Sequence, residues 1–288
     1  MEHWGIAPRE YLGGRINEHW LVESGGSRLV LRGYANEQFA DIHYELVVLR
    51  RLEGLGWPVP VAVRELLHCE GRMWGLFTWL PGAPRLTNGV AEERARGRLL
   101  AALHDSTALI VDMGQRKGCG LAEEVVGDPE LLPLIEDYAR IYPVEGQIMR
   151  WHLDEALERF AHIDLKAAET IVLHSDFAPW NLLYEGKKLT GILDFEGTHL
   201  NYRVSDFALS WRGDHHEVID GYEEVHELTE LDRELLIPAY WSWLFLGVRD
   251  EIKGMVAGNT PPHGFEWQVK HLMRRSGILG ERVAVYPR

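Results

Sequence analysis

The stretch from Ile171 to Gly197, IVLHSDFAPWNLLYEGKKLTGILDFEG, contains the pattern that decides the fold. It opens with a short apolar run typical of a buried strand and then enters the polar loop HSDFAPWN. Two further apolar runs, separated by EGKK, predict a pair of strands joined by a tight turn. We therefore expect the strand ends to bring Asp176, Asn181 and Asp194 to one place.

These three polar residues have the side chains that phosphoryl transfer requires. One carboxylate orients the attacking hydroxyl, while a carbonyl oxygen and a second carboxylate hold the Mg²⁺ that bridges the nucleotide phosphates. Four residues separate Asp176 from Asn181, which is the kinase spacing of catalytic aspartate and metal-binding asparagine. Asp194-Phe195-Glu196 then stands in the position of D-F-G, with glutamate replacing glycine. The alternative is an ordinary hairpin with polar residues on its surface.

The segments LHSDFAPWNLL and ILDFE resemble the aminoglycoside phosphotransferase family, small-molecule kinases related in fold to protein kinases. The resemblance implies a two-lobed α+β fold. Residues 1–82 would form a nucleotide-binding lobe with a small antiparallel sheet and one helix, and residues 83–288 a larger, mostly helical lobe for catalysis and substrate binding. It also implies Asp176 as the catalytic residue, Asn181 and Asp194 as Mg²⁺ ligands, and ATP or GTP as the phosphoryl donor.

The start of the chain supplies candidate phosphate-binding residues. Gly13 and Gly14 fall in a predicted loop that would lie over the phosphates, although such a pair also makes plain turns. Arg32 ends a predicted strand where the kinase pattern V-A-I-K has its lysine. Residues 36–55 have a helical apolar repeat, and Glu45 within it would be the ion-pair partner of Arg32. For Arg32 the alternative is an ordinary charge at a strand edge.

Two more strands are predicted at Val61–Val63 and Met73–Trp79. The resemblance makes the end of the second strand a hinge, where backbone groups near Thr78 and Leu80 would contact the nucleobase. Pro81-Gly82 is a turn signal in any fold and marks the expected lobe boundary.

Beyond the hinge the sequence predicts mainly helices. We expect His104 to be structural. Asp206 resembles an aspartate of the family that braces the catalytic loop, and capping of a helix N-terminus is its alternative or additional role. Residues 213–234 concentrate acidic side chains, which would attract a cationic acceptor such as an amino sugar. An exposed helix face is the alternative explanation of that acidity.

The composition restricts the partners. The 288 residues include 44 Asp and Glu against 30 Lys and Arg, a net charge of −14, which argues against a nucleic-acid partner. Cys69 and Cys119 lack the spacing of a zinc site or disulfide framework. The N-terminus lacks the features of a signal peptide, and no apolar run is long enough to span a membrane, so we expect a cytoplasmic protein without a membrane partner.

These observations predict a kinase that transfers the γ-phosphoryl group of ATP or GTP to a hydroxyl group of a small molecule. An aminoglycoside-like antibiotic is the first candidate acceptor, with resistance as the role. A choline/ethanolamine-type or homoserine-type metabolite kinase shares the scaffold and is the alternative. A pseudokinase that binds nucleotide without transferring phosphate is a third hypothesis, and a phosphohydrolase is disfavoured because the chain has no D-x-D pair.

Overall fold

The computed structural model describes residues 4–6, 8–14, 17–34, 41–86, 89–211, 216–256 and 271–272. The chain divides into two compact units. The first comprises Met1–Thr87, Arg116–Gly118 and Ala178–Thr198, and the second comprises Asn88–Gln115, Cys119–Phe177 and His199–Arg288. Three predicted features lie outside the described residues, in whole or in part: loop residues 15–16, the helix start at 36–40, and Asp214 in the acidic stretch.

The strands are β1 (Pro8–Gly13), β2 (Glu18–Ser24), β3 (Ser27–Gly33), β4 (Leu67–Cys69), β5 (Arg72–Thr78), β6 (Ala83–Pro84), β7 (Thr170–Val172), β8 (Leu182–Glu185), β9 (Lys188–Ile192) and β10 (Leu200–Tyr202). The α-helices are α1 (Ile42–Gly54), α2 (Val90–Thr107), α3 (Ala122–Val126), α4 (Leu131–Ala139), α5 (Pro143–His162), α6 (Phe207–Trp211), α7 (His216–Glu223) and α8 (Glu230–Val256).

A five-stranded antiparallel sheet in the order β1-β2-β3-β5-β4 forms the centre of the first unit. Strands β2 and β3 are joined by Gly25-Gly26, both with positive φ, which is the backbone of a two-residue hairpin turn. The buried side chains Val22, Leu31 and Leu76 form the core of this sheet.

The prediction of a strand at Val61–Val63 is wrong. This segment forms only an isolated bridge, in which Ala62 pairs with Phe77 of β5. Val61 instead exchanges two hydrogen bonds of 3.0 Å with Thr78: its N–H donates to Thr78 Oγ1, and its carbonyl accepts from the Thr78 N–H. Proline at positions 58 and 60 removes backbone donors just before this segment, which limits regular pairing.

Helix α1 packs in the first unit and begins where Asp41 caps it, accepting a hydrogen bond of 3.0 Å from the Tyr44 N–H. Its buried side includes Leu49 and Leu52 of the predicted apolar repeat and also Val48, whereas Val47 of that repeat is exposed. The same unit contains the predicted hairpin, in which β8 pairs antiparallel with β9 and Glu185 lies opposite Lys188. The third strand of this small sheet is β6.

The second unit is mostly helical. Helix α2 packs closely on α7, because Gly97 lies against the backbone of Val218 and Gly221 against the backbone of Arg94. The long helix α8 buries Trp241, and the short strand β7 pairs with β10 rather than with the hairpin. Strand β7 leads directly into the polar loop identified in the sequence.

Two further predictions concern the described residues. Cys69 and Cys119 are both free thiols, as expected from their spacing. In the ranges given above, no helix is both long enough and apolar enough to cross a membrane.

Candidate active site

A cavity of about 360 Å³ lies within the first unit. This volume is within the range of small-molecule sites. Every residue predicted to bind nucleotide or metal lines it: Gly13, Gly14, Arg32, Glu45, Thr78, Leu80, Asn181 and Asp194. Apolar side chains from Leu12, Val30, Phe77, Leu183 and Leu193 line it as well. The first unit therefore brings together residues from six separate places in the sequence.

Arg32 is the central cation of this cavity. It comes from the end of β3, where Nη1 donates a hydrogen bond of 2.6 Å to Glu45 Oε1 of helix α1. Both residues are buried, at 7% and 1% exposure. Burial works against the charge of Arg32, but Glu45 together with the neighbouring Tyr34, Glu196 and Asp194 outweighs it, so the pKa of the guanidinium lies above its ordinary value. The ion pair predicted between these residues is present.

Glu196 is a site residue for which the sequence predicted no role. Its Oε2 accepts a hydrogen bond of 2.8 Å from Arg32 Nη2 and a second hydrogen bond from Asn17 Nδ2. Burial, together with the neighbouring Asp194 carboxylate, raises the pKa of Glu196 to about 7. The only sequence signal was glutamate in place of the D-F-G glycine, and a buried charge requires a partner.

The described residues leave one nitrogen of Arg32 without a hydrogen-bond partner. Nη1 and Nη2 are engaged by carboxylates, whereas the buried Nε has no hydrogen-bond partner among the described residues. Buried N–H groups are nearly always hydrogen-bonded in folded proteins. Arg32 lines the cavity, and a guanidinium there suits an anionic oxygen such as that of a phosphate.

Asn181 and Asp194 provide the two oxygen donors suited to Mg²⁺. The strand end that carries Asp194 is fixed by a hydrogen bond of 2.8 Å from the Leu193 N–H to the Asn181 backbone carbonyl. Asp194 adopts a left-handed conformation, with φ of 68°, which is uncommon for a residue other than glycine. Such strained positions cluster at functional sites. In the described residues no group of three or more His, Cys, Asp or Glu is arranged to hold a metal. A Mg²⁺ ion held by Asn181 and Asp194 would therefore need further oxygen ligands from the nucleotide or from water.

The glycine loop has a backbone that only glycine adopts readily. Gly13 and Gly14 have φ of 100° and 140°. A Cβ atom on Gly14 would lie 1.7 Å from the Asn17 carbonyl oxygen, which is impossible without a shift of the loop. Glycine at position 14 therefore allows close backbone approach within the loop, and both glycines line the cavity.

The hinge residues differ in what they can offer a nucleobase. The Thr78 N–H and hydroxyl are engaged by Val61, as described above. Leu80, two residues further along, also lines the cavity. The backbone of Leu80 is therefore the better candidate for base recognition, and Thr78 serves mainly to fix the end of β5.

Asp176 belongs to the second unit, in the loop that follows β7. Asp206 fixes the backbone of this loop. Its Oδ2 accepts a hydrogen bond of 2.8 Å from the His174 N–H, and its Oδ1 accepts one of 2.5 Å from the Ser175 N–H. The predicted bracing of the catalytic loop by Asp206 is thus observed. The Asp176 N–H in turn donates to His174 Nδ1 at 3.1 Å.

His104 is structural, as expected, and holds Asp206 in place. Burial alone would raise the pKa of Asp206, but the hydrogen bond from His104 and the surrounding donors keep it below its ordinary value. Asp206 is therefore ionised, and His104 Nε2 donates to its Oδ2 at 3.1 Å. The other ring nitrogen lies 2.9 Å from the Tyr222 hydroxyl.

Ser175 also has a left-handed backbone, with φ of 73°, and its hydroxyl lies 3.2 Å from His199 Nδ1. Asn201 fixes the other side of that ring, with Nδ2 3.1 Å from His199 Nε2. Because the Ala122 and Tyr202 N–H groups both donate to Asn201 Oδ1, its amide orientation is determined. The loop before Asp176 is thus held from two sides by polar contacts.

Three features together are typical of the kinase class: a five-stranded sheet with a buried Arg–Glu pair beside a cavity, an aspartate in the following polar loop, and a hairpin that ends in Asp-Phe-Glu. The model of the phosphotransferase enzyme family, APH, matches residues 8–236. The chain belongs to this family. It is a small-molecule kinase.

Sequence comparison adds a relative with an assigned activity. The chain is 25% identical over 256 residues to a homoserine kinase of Phenylobacterium zucineum, and the match covers 80% of this chain and 75% of that protein.

Solved structures confirm the protein-kinase-like α+β fold. The apo form of a thermostable mutant of aminoglycoside phosphotransferase APH(4)-Ia has a TM-score of 0.66 at 16% identity, covering 94% of this chain and 95% of that one. Spectinomycin phosphotransferase APH(9)-Ia, in complex with ADP and spectinomycin, has a TM-score of 0.64 at 13% identity, covering 93% and 90%. At such identities the likeness concerns the fold.

Proposed function

We propose that this kinase transfers the γ-phosphoryl group of ATP or GTP, with Mg²⁺, to the hydroxyl group of a small amino acid of the homoserine type. In this proposal Asp176 orients the acceptor hydroxyl and takes up its proton. Asn181 and Asp194 hold Mg²⁺, and Arg32, held by Glu45, positions the α- and β-phosphates. Nucleotide binding is assigned mainly to residues 1–82 and acceptor binding to residues 83–288, and a cytoplasmic location is part of the proposal.

The observation that carries the proposal is the environment of Arg32. Two carboxylates hold Nη1 and Nη2 at 2.6 and 2.8 Å, so the guanidinium is fixed before any ligand binds. Arg32 lines the cavity that Asn181 and Asp194 also line, and its buried Nε has no hydrogen-bond partner in the described part of the chain. A prepositioned cation beside two oxygen donors suits a metal-bound phosphate chain.

The reaction needs little covalent chemistry from the protein. The acceptor oxygen forms a bond to the γ-phosphorus, the bond to the leaving nucleoside diphosphate breaks, and Asp176 takes the hydroxyl proton. When bound, Mg²⁺ neutralises charge on the phosphate oxygens. The contribution of the chain is positioning: Asp206 fixes the loop of Asp176, and Glu45 and Glu196 fix Arg32.

A hydroxyl-bearing amino acid is favoured as acceptor by the homoserine kinase relative, which aligns over 80% of this chain. The acidic stretch gives little support to a trap for a polycation. Asp220 and Glu224 pair with Arg94 at 2.9 and 2.6 Å, and Glu224 also pairs with Arg98 at 2.5 Å. Carboxylates neutralised by arginines attract a cationic acceptor only weakly.

An aminoglycoside acceptor, with antibiotic resistance as the role, is the second candidate. The net charge of −14 is the observation that favours it, because a polycation is drawn to an acidic protein. The experiment must therefore include both acceptor classes.

The test is nucleotide consumption by the purified full chain with Mg²⁺ and either ATP or GTP. The acceptors are L-homoserine, choline, ethanolamine, an aminoglycoside and a macrolide, and mass spectrometry identifies any phosphorylated product. We expect L-homoserine to stimulate turnover most. Turnover with the aminoglycoside alone would select the second candidate. Nucleotide binding without any transfer would favour the pseudokinase hypothesis, and the absence of nucleotide binding would overturn the proposal.

A further inference from the structure

Arg116 is a buried cation outside the residues discussed so far as ligands. It lies in the loop between α2 and α3, where the neighbouring Gln115 and Lys117 are exposed while Arg116 is only 2% exposed. Gly114 and Gly118 bracket it with φ of 68° and 83°. A Cβ atom on either glycine would meet nothing within 4 Å, so it is the left-handed backbone that favours glycine there. The loop is shaped to bury this one side chain.

The contacts of Arg116 are with the backbone that follows Asp194. Its Nη1 donates to the Glu196 carbonyl at 2.5 Å and to the Thr198 carbonyl at 3.0 Å. Its guanidinium carbon lies 6.0 Å from the centre of the Tyr44 ring, next to Glu45 in helix α1. Hydrogen bonds from a charged donor are stronger than neutral ones. All these residues belong to the first unit.

The segment that Arg116 holds is the one that must keep Asp194 in an unfavourable conformation. Strained backbone persists only where the surroundings over-determine it. On the N-terminal side, the Leu193 N–H is bound to the Asn181 carbonyl at 2.8 Å. On the C-terminal side the restraints are the Thr198 N–H to Phe195 carbonyl bond, of 3.0 Å, and the two bonds from Arg116.

We propose that Arg116 is a positioning residue for the Asp194-Phe195-Glu196 turn. By fixing the carbonyls of residues 196 and 198, it holds the Asp194 carboxylate ready for Mg²⁺ and the Glu196 carboxylate against Arg32. This inference rests on the proposed function, since it takes Asp194 to be a metal ligand. In this proposal Arg116 acts through the backbone carbonyls that it binds.

The geometry favours arginine over lysine at this position. A planar guanidinium can serve two carbonyls from one nitrogen and still lie along the Tyr44 ring, whereas an ammonium group is a compact, strongly hydrated charge. Arg116→Lys should therefore keep the charge but hold the turn less firmly. Arg116→Gln removes the charge and most of the reach. Lys117→Gln, which removes the exposed cation next to it, is the matched control.

The kinetic test compares these variants at several Mg²⁺ concentrations. For Arg116→Gln we expect kcat to fall about 100-fold, as small misplacements of catalytic groups do, and the Mg²⁺ concentration for half-maximal activity to rise. Arg116→Lys should be intermediate. The KM for the acceptor should stay close to wild type in both. Wild-type kcat and Mg²⁺ dependence in a folded Arg116→Gln or Arg116→Lys protein would overturn the proposal.

The second test does not depend on activity. Amide hydrogen exchange of the nucleotide-free full chain should be faster in residues 194–198 in Arg116→Lys than in wild type or Lys117→Gln, with the other core segments unchanged. Unchanged exchange in 194–198 would overturn the proposal, and this holds if Arg116→Gln does not fold. Asp194→Asn separates the two claims: wild-type Mg²⁺ dependence in that variant would contradict the metal assignment, while exchange alone decides whether Arg116 anchors the turn.

Discussion

The guanidinium of Arg32 and the carboxylate of Glu196, 164 positions apart in the chain, are joined by a hydrogen bond of 2.8 Å between Nη2 and Oε2. Glu196 also accepts a hydrogen bond from Asn17, just before β2. The glutamate that replaces the D-F-G glycine therefore connects the turn after Asp194 to two parts of the five-stranded sheet. Glu196 therefore stabilises the contact between this turn and the sheet, and it also lies next to the proposed metal ligand Asp194.

Glu196→Gln should remove a pH dependence of stability, because burial and the Asp194 carboxylate raise the pKa of Glu196 to about 7, so that wild type loses stability as the pH rises from about 4.5 to about 7. The measurement is unfolding at pH 5 and pH 8, between which the stability of wild type relative to Glu196→Gln should fall by about 2 kcal/mol. Glu23→Gln is the control, since Glu23 pairs with the exposed Arg9 on the surface. That change should shift stability by less than about 0.5 kcal/mol. Equal shifts in the two variants would contradict the role of Glu196.

Arg32→Lys should weaken nucleotide binding although it keeps the charge. A lysine cannot hold Glu45 and Glu196 with two nitrogens and still present a third donor to the cavity. We expect the KM for the nucleotide to rise about tenfold, which corresponds to the loss of one good hydrogen bond to a charged group. Arg28→Lys, an exposed change in the same strand, should leave the KM unchanged. An unaltered KM in Arg32→Lys would remove Arg32 from the nucleotide site.

Gly97→Ala should be among the most destabilising glycine-to-alanine substitutions in the second unit. A Cβ atom at position 97 would lie 2.0 Å from the Val218 carbonyl oxygen and 2.6 Å from the Tyr222 nitrogen, so α2 and α7 would have to separate. We expect a loss of about 3 kcal/mol or more in urea unfolding. Gly254→Ala in α8 meets nothing within 4 Å and should stabilise the helix by about 0.5–1 kcal/mol. Similar effects of both changes would contradict the close helix packing.

His152 should make the protein less stable in mild acid. Its Nε2 donates to the Leu272 carbonyl at 2.7 Å, and its Nδ1 accepts from Trp241 Nε1 at 3.1 Å, so the ring is held neutral. Burial lowers its pKa to about 4. The unfolded chain takes up this proton below about pH 6.5, whereas the folded chain does so only near its lowered pKa, so stability falls as the pH drops between these values.

The size of this effect is about 2 kcal/mol between pH 7 and pH 5, measured as the free energy of unfolding in urea. His152→Gln is the comparison variant, because its amide can both accept from Trp241 and donate to Leu272 without titrating. The difference between wild type and His152→Gln should shrink as the pH is lowered over this window. A difference that does not depend on pH would show that His152 is not the responsible group.

The sequence was sufficient for the parts of the site that depend on local spacing. The Asp176 to Asn181 interval, the hairpin of β8 and β9, and the positions of Arg32 and Glu45 at a strand end and on a helix all follow from local patterns. The structure places these nucleotide and metal candidates on one cavity, while their catalytic roles stay predictions.

What the sequence did not reveal depends on partners that are distant in the chain. Glu196 meets Arg32, and Arg116 meets the carbonyl of Glu196, 80 positions away. Hydrophobic periodicity does not predict such long-range contacts. An arginine in a loop between polar residues is normally interpreted as an exposed surface charge. The prediction of a strand at Val61–Val63 failed for a different reason. Its apolar composition suggested a strand, but the segment is joined to β5 only through an isolated bridge and the hydrogen bonds beside it, not through a regular ladder.

The measurement that tests the central claim most directly is the acceptor-dependent turnover of Asp176→Asn, with nucleotide binding measured in parallel. We predict that kcat falls at least about 100-fold, the usual contribution of a general base, while the Kd for Mg²⁺-nucleotide stays within about threefold of wild type. Asp154→Asn, an exposed change in α5, should leave both unchanged. Near-wild-type kcat in Asp176→Asn would contradict the account, because the loop held by Asp206 would then not carry the catalytic residue.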